Sequence, residues 1–118
     1  MSQIKKVTCH VVAAPVQKPF TSSRGWIYKT RGSCIVEIET NDGIVGWGEC
    51  YGPSAVAKAF IDTQFGPRII GRDPFDVDVI WEDLYNRIKD YGTTGMAISA
   101  ISGIDIALWD IIGKSCGK

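Results

Sequence analysis

The segment from Gly95 to Lys114, GMAISAISGIDIALWDIIGK, is apolar on almost every face of a helix. Met96, Ala97, Ala100, Ile101, Ile104, Leu108 and Ile111 form one stripe at helical spacing, and Ile98, Ile106, Trp109 and Ile112 fill much of the rest. A helix that is hydrophobic all round has to be covered on several sides or lie in a membrane. Asp105 and Asp110 inside the run, with Gly103 and two serines, argue against a membrane span, because ionised carboxylates are costly at bilayer depth. The helix asks for more protein around it than the preceding residues supply, and Lys118 follows soon after. The expectation is one part of a larger assembly.

A length of 118 residues suits a single domain, one that buries about two-thirds of the surface its unfolded chain exposes. Thirteen basic and thirteen acidic residues cancel, so no global field draws nucleic acid or an anionic membrane. Cys9, Cys34, Cys50 and Cys116 show no Cys-x-x-Cys spacing and no clustered histidine. Three of them fall in expected strands, where a reduced cysteine behaves as a small apolar residue. With no signal peptide ahead of the first strand, a reducing, cytoplasmic setting is expected.

Ile4 to Ala13 alternates, with Val7, Cys9 and Val11 on one face and Lys6, Thr8 and His10 on the other, which is the pattern of a half-buried strand. Ser33 to Thr40 repeats it, Asn41-Asp42-Gly43 makes a hairpin turn, and Ile44 to Cys50 returns as a third strand. Helices follow. Pro53 opens one whose inner face reads Val56, Ala59, Phe60 and Thr63, ended by Gly66-Pro67. Asp73 as N-cap and Pro74 as first residue open the next, with a stripe of Val77, Ile80, Trp81, Leu84, Tyr85 and Ile88. Thr94 is positioned to cap the last helix, and Asp110 and Lys114 make an acid-before-base pair four residues apart. Strands first and helices after predict an α+β domain over 1–118: a three-stranded antiparallel meander followed by a helical bundle on one side of the sheet.

Two segments stand outside this scheme. Ala14 to Thr30 reads as a long structureless connection, the kind that serves as a lid or binding loop. It carries Lys18, Arg24 and Lys29, with Arg31 just after it, and no acid lies between His10 and Glu37. Basic groups mixed with Phe20, Trp26, Tyr28 and hydroxyls suit closure over an anionic, hydroxylated small molecule, with Arg24 the first choice for a carboxylate because a guanidinium binds one bidentately. The alternative is a solvated loop with incidental charge. The second segment, Asp90 to Gly95, is a glycine-rich junction at a helix N-terminus, where free N–H groups favour anions. Thr93 and Thr94 there suit ligand contact or plain capping, and Tyr51, in Tyr51-Gly52-Pro53, suits a ligand hydrogen bond or packing at a strand end.

Glu49 is a lone carboxylate, expected in a structural or interface salt link; His10, the single histidine, belongs on the surface; Asp105 is expected to anchor a structural hydrogen bond. No metal-ligand cluster, nucleophile–base pair, phosphate loop or nucleotide fingerprint occurs, so the chain read alone lacks a complete active site.

The order strand, long loop, Asn-Asp-Gly hairpin with Gly46-Trp47-Gly48-Glu49, then helices ending in Ser102-Gly103-Ile104-Asp105-Ile106-Ala107-Leu108-Trp109-Asp110-Ile111-Ile112-Gly113-Lys114, resembles the mandelate racemase/muconate lactonizing enzyme family of the enolase superfamily. The resemblance covers nearly the whole chain and only that family's N-terminal capping domain. It implies a two-part enzyme, active as a lyase or isomerase only at full length. A (β/α) barrel elsewhere in the polypeptide would hold Mg²⁺ and the Lys or His bases that remove a proton α to a carboxylate. The cap would supply a specificity loop, matching Pro15 to Lys29, and a second loop, Tyr51 to Pro53, so Arg24, Trp26, Lys29, Tyr51 and Thr93 are the expected substrate-binding residues, with no catalytic or metal-binding residue in this chain. Expected partners are a small carboxylate substrate, the barrel and, at full length, further copies in a homo-oligomer, with neither nucleic acid nor membrane. The polar loop suits a polyol acid, ranking dehydration of an aldonate or aldarate first, cycloisomerisation of an aldarolactone second and racemisation or epimerisation third. The rival from another class is a free-standing, non-catalytic binding domain. Exposure of Ile98, Ile106 and Trp109 discriminates the two, since a cap parted from its barrel bares an apolar face.

Overall fold

A computed structural model describes residues 1–118. Strands β1 (Ile4–Thr21), β2 (Ile27–Thr40) and β3 (Val45–Cys50) form one antiparallel sheet in the order β1-β2-β3, followed by helices α1 (Ser54–Phe60), α2 (Gly66–Ile69), α3 (Val77–Ile88) and α4 (Met96–Ser115). The predicted meander and its Asn-Asp-Gly hairpin are present. Gly43 takes φ +88°, and the buried Thr40 hydroxyl accepts the Ile44 N–H at 3.0 Å.

One face of the sheet carries Cys9, Cys34, Val36, Ile38 and Cys50 into a core shared with the helices. α4 crosses this face very closely. A Cβ on Gly48 would overlap the Gly103 carbonyl oxygen, and one on Gly46 would overlap that of Ala107. β3 is an edge strand, and α4 takes up its outward backbone groups: Trp47 N–H donates to Asp110 Oδ2 at 2.9 Å and Lys114 Nζ donates to the Val45 carbonyl at 2.8 Å. The expected Asp110–Lys114 pair closes the clamp at 2.6 Å. α4 has the length and hydropathy of a membrane span, yet Ala97, Ala100, Ile101, Ile104, Ala107, Leu108 and Ile111 are buried in the protein core.

The structure corrects several local expectations. Gly66-Pro67 does not end the first helix; a π-turn over Ile61–Phe65 joins α1 to α2. The residues facing the core are Ala57, Ile61, Phe65 and Ile69, each four after the last, while Val56, Ala59 and Thr63 face solvent. A strict four-residue repeat drifts round a helix of 3.6 residues per turn, and the wider π-turn restores it to one face. α3 starts at Val77 with Asp76 at the cap, because Asp73 instead accepts the Phe75 N–H at 2.9 Å in a turn ahead of the helix. Trp81 is exposed and Tyr85 half-buried, stacked on each other outside the core that Val77, Ile80, Leu84 and Ile88 enter. Gly95, at φ +74°, occupies the N-cap of α4, so Thr94 does not cap it.

The largest correction concerns residues 14–30. They are not a structureless loop: β1 and β2 stay paired out to Pro15–Thr30 and again at Phe20–Tyr28 and Thr21–Ile27. Between these, Val16, Gln17, Lys18 and Pro19 bulge opposite the single residue Lys29. Two prolines, each without an N–H for the ladder, favour such a bulge. The result is a two-stranded arm, solvent-exposed on both faces, projecting past the end of β3.

Candidate functional site

The arm ends in a tip from Ser22 to Trp26. Ser22 N–H donates to the Trp26 carbonyl at 2.9 Å, closing the tip, and Phe20 stacks on Tyr28 beneath it with ring centroids 4.9 Å apart. Within the tip Arg24 adopts φ +64°, the left-handed region, followed by Gly25 at +76°. A non-glycine residue there carries strain of about 1–3 kcal/mol, a feature that concentrates at functional positions. Arg24 and Lys29 are exposed and Trp26 is 69% exposed. None of Lys18, Arg24, Lys29 or Arg31 has an acidic partner at ion-pair distance, so the arm presents four uncompensated cations.

The second expected element lies at the same end of the sheet. Tyr51 follows β3 and its side chain stands in solvent, 83% exposed, while its carbonyl accepts the Ser99 hydroxyl at 2.5 Å. Gly52, at φ +98°, sits so close to Met96 that a Cβ would overlap its sulfur. Tyr51 and Gly95, the last residue of the glycine-rich junction, line one open groove of about 560 Å³ with Glu49, Ile98, Ser99, Ser102 and Ile106. Thr93, half-buried, stands two residues before that groove wall. The arm base joins the same end through Gly32, where an added Cβ would lie 3.4 Å from the Ser54 hydroxyl. Arg24, Trp26 and Lys29 do not line the groove.

Sequence reasoning missed Ser99 and Ser102; serines at mid-helix spacing give no signal until β3 is placed beside them. Glu49 makes no salt link within the domain. Its Oε1 accepts the Ser33 hydroxyl across the strands at 2.5 Å. His10 is exposed as expected and shares a 2.7 Å contact with Glu37 Oε2. Asp105 departs from expectation: it is half-buried, with no hydrogen-bond partner in the domain, and desolvation together with nearby Asp78 holds its carboxyl above the usual range. All four cysteines are reduced, and burial beside Cys34 pushes the Cys9 and Cys50 thiols up to about 12. No group of three or more His, Cys, Asp or Glu side chains is placed to hold a metal ion, so these residues do not by themselves fit Mg²⁺.

A three-stranded antiparallel meander followed by helices is an α+β fold that this chain shares with solved structures of the enolase superfamily. The chain belongs to the mandelate racemase/muconate lactonizing enzyme family, whose N-terminal domain matches residues 5–118. It is 43% identical over 115 residues to the D-galactarolactone cycloisomerase of Agrobacterium fabrum, covering 98% of this chain and 30% of that protein. The crystal structure of an enolase-superfamily member from Agrobacterium tumefaciens superposes with a TM-score of 0.83 at 30% identity, over 99% of this chain and 36% of that one. That of L-talarate/galactarate dehydratase from Salmonella typhimurium LT2, liganded with Mg and L-lyxarohydroxamate, gives a TM-score of 0.88 at 30% identity, over 98% and 32% of the two chains. This chain therefore spans about a third of the length of these relatives.

Proposed function

We propose that residues 1–118 form the substrate-capping part of a Mg²⁺-dependent enzyme that removes the proton α to the carboxylate of an acid sugar. Proton transfer and the Mg²⁺ site are assigned to a barrel in the rest of the polypeptide, as no donor set for the ion is gathered within these residues. The observation carrying the reading is the arm itself: four cations without acidic partners, an exposed indole and an arginine held in a strained tip. An isolated two-stranded ribbon is marginal in water, so an arm bare on both faces is better suited to closing over something than to standing free. Arg24 is assigned to the carboxylate at the far end of the substrate, Trp26 to a sugar C–H face, Lys29 and Tyr51 to hydroxyls, and Thr93 to the junction side of the ligand.

The hydroxyl-rich, basic tip supports dehydration of an aldonate or aldarate first. Cycloisomerisation of an aldarolactone is the second reading, favoured by 43% identity, over 98% of this chain, to the 30% that it matches of a galactarolactone cycloisomerase. A free-standing binding domain is disfavoured by α4, where Ile106 is 47% and Trp109 55% exposed beside the unpartnered Asp105; Ile98 packs partly against the domain's own core. An apolar helix face of this kind is suited to burial by a neighbouring domain.

The test is steady-state kinetics of the full-length enzyme with Mg²⁺ and a panel of aldonates, aldarates and aldarolactones. Turnover of at least one is expected, with Arg24→Ala raising KM about tenfold or more, the value of a charge-assisted hydrogen bond. Inertness toward the whole panel rejects the acid-sugar reading, and an unchanged KM removes Arg24 from the site.

A further inference from the structure

Residues 50–53 leave β3 and turn sharply onto the first turn of α4. Cys50 is buried against Gly103, Gly52 is pressed on Met96, and between them the Tyr51 carbonyl is held by Ser99 Oγ at 2.5 Å. Within this chain Thr63 and Ser115 turn their helical hydroxyls back to the carbonyl four residues earlier. Here the Gly95 carbonyl receives the Ser99 N–H at 3.1 Å, while the Ser99 hydroxyl crosses 48 residues of sequence to Tyr51. With its backbone held on both sides, the turn leaves the Tyr51 side chain in solvent, lining the same groove as Ser99 and Ser102.

We propose that Ser99 is a positioning residue for substrate recognition: its hydroxyl sets the height and direction from which Tyr51 meets the acid sugar. The inference rests on the capping reading above, in which Tyr51 is a substrate contact. Ser99 touches no reacting atom and acts through Tyr51 alone. It therefore governs KM and leaves the chemical step to the groups that perform it.

The test is a double-mutant cycle in the full-length enzyme with its best acid-sugar substrate. Ser99→Ala raises KM about three- to tenfold, the range of one lost hydrogen bond, with kcat held within about twofold. Ser99→Thr, which keeps the hydroxyl, returns KM to near the wild-type value. Tyr51→Ala also raises KM, and adding Ser99→Ala to it raises KM no further, since coupled groups are non-additive. Ser99→Cys, of similar size and a weak donor, substitutes for the alanine variant should that unfold at assay temperature. A normal KM for Ser99→Ala alongside a raised KM for Tyr51→Ala overturns the role of Ser99 and leaves the capping reading standing. Equal effects of Ser99→Ala with and without Tyr51 overturn it as well. A normal KM for Tyr51→Ala removes Tyr51 from the site and this inference with it.

Discussion

The backbone N–H of Trp47 donates to the carboxylate of Asp110 at 2.9 Å, joining an edge strand to a helix 63 residues further on. With Lys114 bound to both Asp110 and the Val45 carbonyl, this contact explains why Gly46-Trp47-Gly48-Glu49 and Asp110-Ile111-Ile112-Gly113-Lys114 belong together. The glycines let α4 approach and the charged pair seals the edge that β3 would otherwise expose.

Removing the clamp is expected to loosen α4 without unfolding the domain. Asp110→Ala leaves the Trp47 N–H to water and Lys114 without its acid, at a cost of about 1 kcal/mol once partial exposure is allowed for. Urea titration of this chain would show a lower midpoint, and an unchanged midpoint would deny the clamp a stabilising role.

Gly48→Ala is expected to do far more damage. Its Cβ would run into the Gly103 carbonyl, a backbone atom that no side-chain rotation can move. Overpacking of this kind costs about 3 kcal/mol or more, against about 1 kcal/mol for an ordinary substitution. Thermal unfolding followed by circular dichroism should show a large fall in Tm; a wild-type Tm would mean that α4 does not dock on β3 as described.

The carboxylates divide by pH in opposite directions. Asp83 is held low by its hydrogen bond from Arg68, then by the charges of Arg68 and Arg72, so its contribution is present above the unfolded carboxylate pKa and is lost as pH falls through the folded one. Asp105 is held high by desolvation and by Asp78, so its contribution is full below the unfolded pKa and is lost as pH rises through the folded one. Asp105→Asn is therefore expected to raise Tm by about 1–3 °C at pH 7 and to change nothing at pH 3. Asp83→Asn is expected to lower Tm at pH 7 and to have a much smaller effect at pH 2. Matching pH profiles for the two variants would contradict these assignments.

Thiol chemistry offers an independent check on the core. Cys116 is exposed while Cys9, Cys34 and Cys50 are buried, with Cys9 and Cys50 held almost wholly protonated. A disulfide reagent at pH 8 should titrate one thiol in the native chain and all four in denaturant. Rapid native reaction of a second thiol would mean that the sheet face bearing Cys9, Cys34 and Cys50 is not covered by the helices.

The strands from Ile4, Ser33 and Ile44, the hairpin at Asn41–Gly43 and the apolar α4 were legible because their periodicities are strong and local. The arm was not, because Pro15, Pro19 and the polar run Thr21–Arg24 carry the composition of a loop; pairing out to Pro15–Thr30 continues the β1–β2 register set at Cys9 and Val36, and beyond the bulge it resumes in a shifted register that no local pattern marks. The π-turn escaped for a similar reason: a constant spacing of four looks like imperfect helix until Phe65 is seen beside Ile61 in the core. Of the candidate site, Arg24, Trp26, Lys29, Tyr51 and Thr93 could be singled out by residue type and place along the chain. Ser99 could not, since its contact with the Tyr51 carbonyl exists only once α4 lies against the end of β3.

The most direct test of the capping account compares product formation from aldonates, aldarates and aldarolactones, with Mg²⁺ present, by residues 1–118 alone and by the full-length enzyme. The account predicts dehydrated or isomerised acid sugar from the full-length enzyme and none from residues 1–118. Product from residues 1–118 alone would contradict it.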